Sequence, residues 1–343
     1  METHPSKAGR LPRICWLVGL LVFFDVFASD LSYAERGRVR IVDGVVVADN
    51  GSLLRGAHGN YSNTVYKQLS WWTNLRDKYK LNTVRLDTRI TWPPDSDRVS
   101  DMLDLNKIFA DVDVAVNKAA EAGMYIIVDN HTSCCGNYNR TLVEAFWEKA
   151  APRYKDRTHV IFEMQNEPVA WYPKDYTADD IQFQADMYQF IRARAPKTHI
   201  ILWSFSKSTS DMKAKIDQAP AIDYSNASVG IHPYRHTTTN GLNALNALRA
   251  SYPVIITEFA NLPDKNTYPL TIWDFAETNG ISWMYLDLRF FPDGSYGNYG
   301  DGVWDPKAWP VTWPSDPYFD GPPPAVAPAA PKALRILRSE NPN

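Results

Sequence analysis

From about Leu53 onward the chain alternates short apolar runs with longer stretches whose apolar residues recur every three or four positions. Short runs of this kind mark strands buried on both faces, and the longer periodicity marks amphipathic helices. The runs Leu53–Gly56, Thr83–Leu86, Tyr125–Asp129, Val160–Met164, Ile200–Trp203, Ser228–Ile231, Val254–Thr257 and Ser282–Leu286 predict eight strands. Three stripes predict helices between them: Val65, Leu69, Trp72, Leu75 and Tyr79; Leu105, Ile108, Val112, Val116 and Ala119; and Ile181, Ala185, Tyr188, Ile191 and Ala195. Thr177-Ala178-Asp179-Asp180 gives the third a capping-box-like start. Alternating strand and helix builds a parallel α/β sheet. Eight such units over about 260 residues match a (β/α)8 TIM barrel. An open doubly wound sheet is the competing architecture, but it usually carries a Gly-rich phosphate loop, and the sequence has no G-x-G-x-x-G or P-loop. Val39 to Val47, turning at Asp43-Gly44, predicts a hairpin that closes the barrel's bottom.

The two ends depart from this pattern. Residues 1–34 carry a basic start at Lys7, Arg10 and Arg13, an apolar run from Ile14 to Phe24, and the small-residue pattern Ser32-Tyr33-Ala34. This is the layout of a secretory signal peptide, and the run is shorter than the ~20 apolar residues of a membrane span. Residues 35–318 are assigned to the barrel. Residues 319–343 contain the Pro/Ala-rich stretch Gly321 to Pro331 and are read as a linker or tail.

Composition narrows the chemistry. A net charge of -3 offers no basic surface for nucleic acid or for an anionic membrane. The 12 Trp and 18 Tyr are more than a core requires, and their flat amphipathic faces suit the C–H faces of sugar rings. Once Cys15 leaves with the signal peptide, Cys134 and Cys135 remain, adjacent in sequence. They lack the spacing of a zinc or thioredoxin-like motif. A vicinal disulfide and a pair of buried free thiols are both open readings. No His/Glu cluster has metal-ligand spacing, so neither metal nor cofactor is implied.

The last residues of the predicted strands form a coherent set. Arg85 closes the second, His131 follows the third, and Asn166-Glu167 follow the fourth. His232 and Tyr234 follow the sixth, Glu258 the seventh, and Trp283 lies in the eighth. Strand C-termini are where barrel enzymes assemble their sites. Two carboxylates facing each other across such a mouth are the minimal machinery for cleaving a glycosidic bond.

In this set the chain resembles glycoside hydrolase family 5, the cellulase and mannanase family, over about Leu53 to Leu288. The motifs that carry the resemblance are Asn82-Thr83-Val84-Arg85-Leu86, Asp129-Asn130-His131, Asn166-Glu167-Pro168, His232-Pro233-Tyr234, Thr257-Glu258-Phe259 and Ser282-Trp283-Met284. The resemblance implies that Glu258 is a nucleophile and Glu167 an acid/base. Arg85 and Tyr234 would hold Glu258 ionised by charge and hydrogen bonding. A partly desolvated site beside another carboxylate would favour protonation of Glu167. Asn166 would bind a sugar 2-hydroxyl, His131 and His232 would surround the cleaved sugar, and Trp283 would be its stacking floor. Trp92, Trp171 and Trp203 are candidates to extend the groove. Glu163, just before Asn166-Glu167, is an alternative carboxylate ranked below Glu167.

The sequence therefore points to a secreted, extracellular or periplasmic, retaining β-glycosidase acting on β-1,4-linked polysaccharide. Endo-β-1,4-glucanase is the first expectation and endo-β-1,4-mannanase the next. The chain is read as a monomer whose partner is a polysaccharide or oligosaccharide. A non-catalytic carbohydrate-binding barrel is the reading of a different class, and binding alone would not need both Glu167 and Glu258.

Overall fold

The chain folds first into the predicted hairpin. Strand β1 (Arg40–Val42) pairs antiparallel with β2 (Val45–Val47). Asp43 and Gly44 between them take φ of 51° and 78°, the paired positive values of a primed two-residue turn. The computed structural model describes residues 35–60, 65–94, 96–132, 136–169, 175–207, 209–219, 221–233, 239–259, 268–286, 289–290 and 296–297. The predicted signal peptide and tail, and Cys134, Cys135, Trp171 and Tyr234, lie outside the described residues.

Eight parallel strands follow: β3 (Arg55–Asn60), β4 (Thr83–Thr88), β5 (Tyr125–Asn130), β6 (Val160–Glu163), β7 (Ile200–Phe205), β8 (Ala227–Ile231), β9 (Val254–Phe259) and β10 (Ser282–Tyr285). Each pairs with the next, and β10 pairs back onto β3, so the sheet closes. The helices between them are α1 (Leu69–Tyr79), α2 (Leu105–Glu121), α3 (Arg140–Tyr154), α4 (Ala178–Arg194), α5 (Asp211–Ile216), α6 (Thr239–Arg249) and α7 (Tyr268–Thr278). The predicted capping box opens α4: Thr177 accepts from the Asp180 amide and the Asp180 carboxylate accepts from the Thr177 amide.

The first barrel strand starts two residues later than its apolar run. It continues through Ala57-His58-Gly59-Asn60, beyond the end of that run, and both Gly56 and His58 face inward. Only glycine fits at 56, since a Cβ there would stand 2.2 Å from Met284 Sδ.

Alternation along the strands sorts the core into two layers. Outward residues such as Val84, Leu86, Ile126, Val128, Phe162, Leu202, Val229 and Ile256 pack under the helices. Inward, a separate plug of Leu54, Tyr125, Ile127, Ile161, Ile201, Ile255 and Met284 fills the lower barrel, with Val39, Val46 and Ala48 from the hairpin region beneath it. Each fully buried Ile, Leu or Val contributes about 1.5–3 kcal/mol. Above this plug the inward positions turn polar. That change marks the site.

Candidate active site

Arg85 sits at the centre of the polar layer and has no solvent exposure. Its Nε donates to Glu163 Oε2 at 2.5 Å, Nη1 to Glu258 Oε2 at 2.9 Å, and Nη2 to Asn166 Oδ1 at 2.7 Å. Nη2 also lies 3.1 Å from Asp129 Oδ2. One planar fork thus holds side chains from β5, β6, β9 and the segment after β6 in fixed positions. Burial works against its charge, but Asp129, Glu163, Glu258 and Asp87 outweigh that and push its pKa well above the usual value.

Glu258 reaches the mouth through an irregularity in β9. Ile256 pairs with Trp283 but Phe259 pairs with Tyr285, so β9 carries one extra residue between them. Both Thr257 and Glu258 thereby lie on the inner side. Burial raises the Glu258 pKa, but the charges of His232, Arg85, His58 and His131 prevail and hold it at about 2. It is ionised at neutral pH.

Glu167 follows β6 with its main chain in the left-handed region, φ 38°. For a non-glycine residue this is strain, of a kind that gathers at functional sites. His232, at the end of β8, places Nδ1 2.7 Å from Glu167 Oε1 and Nε2 3.0 Å from Thr257 Oγ1. Burial disfavours its charge, but Glu258, Glu163 and Glu167 raise its pKa to about 10. A cationic imidazole donates from both nitrogens, so His232 ties Glu167 to β9. Ligand atoms of Glu167, His232 and Glu258 all lie within 4.8 Å of one another. Such closeness fits the roughly 5–5.5 Å spacing of retaining carboxylates rather than the ~6.5–9.5 Å of inverting ones.

Glu163, the alternative carboxylate, is fully buried between Arg85 and Ser204, whose Oγ donates to Oε1 at 2.6 Å. The charges and hydrogen bonds of Arg85 and His232 overcome its burial and hold it well below the usual carboxylate range. It props the layer from below. On the other side His131 Nδ1 lies 2.7 Å from Asp129 Oδ2. Burial opposes its charge, but Asp87 and Asp129 raise its pKa. Asp87 and His58 complete this side, with 3.2 Å between Asp87 Oδ1 and His58 Nδ1. Sequence reading missed both residues. Asp87 stands two residues after Arg85 and so shares its inward face, a signal that was available.

The aromatic candidates divide. Trp92, after β4, is 67% exposed. Trp203 and Trp283 are fully buried and cannot stack on a sugar, contrary to the expectation. Plain alternation from Ile201 would turn Trp203 inward. Instead φ of 74° at Trp203 and 38° at Ser204 accompanies a register shift against β8. The shift sends Trp203 outward against Tyr176 and Phe205 and brings Ser204 inward to Glu163. Trp203 Nε1 donates to Tyr224, and its main-chain amide to Gln184. In β10, Ser282 and Met284 face inward, so Trp283 faces out. It packs on Phe259 and Trp273 and donates to Glu277 Oε1 of α7 at 2.8 Å. The next inward position towards the mouth is Leu286, half-buried.

Among the described residues, two groups bring ligand-type atoms close enough for a metal ion: Asp87, Asp129 and His131, and Glu167, His232 and Glu258. The Arg85 guanidinium already sits against the carboxylates of both, at 3.1 Å from Asp129 and 2.9 Å from Glu258. A metal cation in either group would meet that fixed positive charge.

Fold and site together place the chain among (β/α)8 barrel proteins that hold a carboxylate pair at the C-terminal mouth. More particularly, residues 48–291 match the Cellulase family, glycosyl hydrolase family 5, and the chain belongs to that family. It is 31% identical over 183 residues to endoglucanase E-5 of Thermobifida fusca, a match covering 50% of this chain and 36% of that protein. It is 28% identical over 243 residues to endoglucanase A of Butyrivibrio fibrisolvens, covering 68% and 54%. The match thus spans between about a third and just over half of these relatives' lengths. Among solved structures, the catalytic domain of a Thermobifida fusca endoglucanase superposes with a TM-score of 0.58 at 22% identity, covering 73% of this chain and 84% of that one. A Thermomonospora fusca β-mannanase in complex with mannohexaose gives 0.57 at 18% identity, covering 73% and 83%. These likenesses show the fold.

Proposed function

We propose that the protein is a retaining β-glycosidase that cleaves β-1,4-linked polysaccharide, in the first place a β-1,4-glucan. The observation that carries this reading is the pair Glu167 and Glu258, with oxygens within 4.8 Å across the barrel mouth. Glu258 is held ionised by His232 and Arg85, and Glu167 is held in place by His232. In the first step Glu258 attacks the anomeric carbon while Glu167 gives its proton to the departing glycosidic oxygen. The glycosidic C–O bond breaks and a glycosyl ester to Glu258 forms. In the second step Glu167 takes a proton from water, whose oxygen displaces Glu258 and leaves the sugar with its original β configuration. Asn166 spends its carbonyl on Arg85, which leaves its amide nitrogen to donate to the 2-hydroxyl as charge develops.

Membership of the cellulase family supports the reaction class, and relatives named endoglucanase support glucan as substrate. A Thermobifida fusca endoglucanase of the same fold was solved with cellotetraose bound. The fold shared with a β-mannanase solved with mannohexaose makes mannan the second substrate. Export rests on the signal-like pattern of residues 1–34 alone.

A panel of β-glucans, mannans and xyloglucan, with the products sized, tests the reading. Short β-1,4-gluco-oligosaccharides should appear from the parent protein and not from Glu167→Gln or Glu258→Gln. Binding of glucan without any cleavage would instead favour a non-catalytic barrel.

A further inference from the structure

Asp87 stands one inward step above Arg85 on β4, opposite Asn60 of β3 and Asp129 of β5. Its Oδ1 faces three nitrogens: His58 Nδ1 at 3.2 Å, Arg85 Nη1 at 3.6 Å and His131 Nδ1 at 3.7 Å. Burial disfavours its charge, but His131, His58 and Arg85 more than compensate and hold it far below the usual carboxylate range. Those are ion-pair contacts, and Oδ1 is buried among them without a hydrogen bond; Oδ2 receives none from any described residue either. The side chain keeps 13% exposure, against 11% for Glu167 and 10% for Glu258. An ionised carboxylate is an acceptor only, and one at the floor of a cleft with unused lone pairs calls for a donor.

Its position relative to the nucleophile says which donor. The Arg85 Nη1 that faces Asp87 also donates to Glu258 at 2.9 Å. Two carboxylates that share one nitrogen are neighbours. Asp87 thus lies within reach of the edge of a sugar ring whose anomeric carbon sits over Glu258, and a pyranose presents hydroxyl donors along that edge.

We propose that Asp87 is a sugar-binding, specificity-determining residue, whose free Oδ2 accepts a hydrogen bond from one hydroxyl of the glycosyl unit seated over Glu258. This rests on the reading of Glu258 as nucleophile. Charge-assisted hydrogen bonds are about twice as strong as neutral ones, so the contact selects among sugars by the position of one hydroxyl. The rival role is a strut that only holds His58 and His131.

Aryl β-cellobiosides, each lacking one hydroxyl of the unit next to the aryl group, separate the two roles. On the full substrate, Asp87→Ala should lose roughly ten- to a hundredfold in kcat/KM. On the one analogue that lacks the contacted hydroxyl, Asp87→Ala and the parent should turn over alike. Comparing variant with parent on the same substrate cancels the intrinsic reactivity of each analogue. Asp87→Asn, which keeps the shape, guards against misfolding and should show the same pattern in weaker form. Equal losses on every analogue, or no loss on any, would overturn the proposal. Failure of the Glu258 reading shows separately, as activity that survives Glu258→Ala.

Discussion

Arg85 Nη1 donates to Glu258 Oε2 at 2.9 Å from a guanidinium that sees no solvent. The same fork holds Glu163 and Asn166. Arg85→Ala would leave four buried or half-buried carboxylates around an absent charge. Removing one partner of a buried pair typically costs about 3–5 kcal/mol. The variant should melt well below the parent and lose activity. Arg85→Lys is more informative, because it keeps the charge but cannot make three bonds in one plane. It should fold, yet lose on the order of a hundredfold in kcat. The Lys ammonium cannot meet Glu163, Asn166 and Glu258 at once, so Glu258 loses the donor at 2.9 Å and part of the positive charge that holds it at about 2. The acid limb of the pH–rate profile should therefore also move to higher pH. An unmoved acid limb would mean that His232 and the other histidines hold Glu258 charged without this contact from Arg85.

The two carboxylates should separate by rescue. Glu258→Ala should be inactive on every substrate, and azide should restore turnover with an α-glycosyl azide as product. Glu167→Ala should keep activity on aryl glycosides with very good leaving groups, which need little protonation. NMR of the first products of the parent protein should show the β anomer. An initial α product would remove the retaining reading.

Glu163→Gln tests the residue beneath them. The amide can still meet Ser204 and Arg85, but the negative charge that steadies Arg85 and lies 3.9 Å from His232 is gone. Activity should fall mainly in kcat with KM little changed, since Glu163 is buried and touches no substrate. If Glu163→Gln were dead and Glu167→Gln active, the assignment of the acid/base would be wrong.

Most of the scaffold was legible because α/β barrels write their strands as apolar runs, and seven of the eight runs lie where strands form. The first was offset, since Gly56 gives up its side chain to make room for Met284 and His58 faces the polar layer, so neither extends the run. Arg85, Glu167 and Glu258 were legible from their places at strand ends. What alternation could not reveal were the irregularities in β7 and β9. One extra residue in β9 delivers Glu258 to the mouth, and the shift in β7 takes Trp203 away from it. A sequence states the period of a strand but not where the strand slips.

The aromatic residues turn that difference into a measurement. Trp283→Ala and Trp203→Ala empty fully buried sites and should each cost about 3–5 kcal/mol of stability. Trp283→Phe should keep much of the packing, losing the bond to Glu277, and leave KM nearly unchanged. Trp92→Ala removes an exposed ring and should barely alter the melting temperature. If Trp92 borders the groove, KM for long oligosaccharides should rise several-fold while short aryl glycosides are unaffected. A rise in KM for Trp283→Phe without loss of stability would return that residue to the cleft.

His232 makes stability depend on pH in the alkaline range. Folding raises its pKa from about 6.5 in the unfolded chain to about 10, because Glu258, Glu163 and Glu167 together overcome the penalty of burial. A group whose folded pKa is raised stabilises the fold fully below its unfolded pKa, and this contribution shrinks as pH climbs towards the folded value. Melting temperatures of the parent protein should therefore decline from about pH 7 to pH 10, with this residue's share exhausted above that. His232→Gln keeps a donor to Glu167 but carries no charge. It should be less stable than the parent at pH 6, and the gap should narrow steadily up to pH 10. Deprotonation also releases Glu167 from its cationic partner at 2.7 Å, so kcat of the parent should fall over the upper part of the same window. A gap between parent and variant that stayed constant from pH 6 to pH 10 would mean that His232 is neutral in the folded protein.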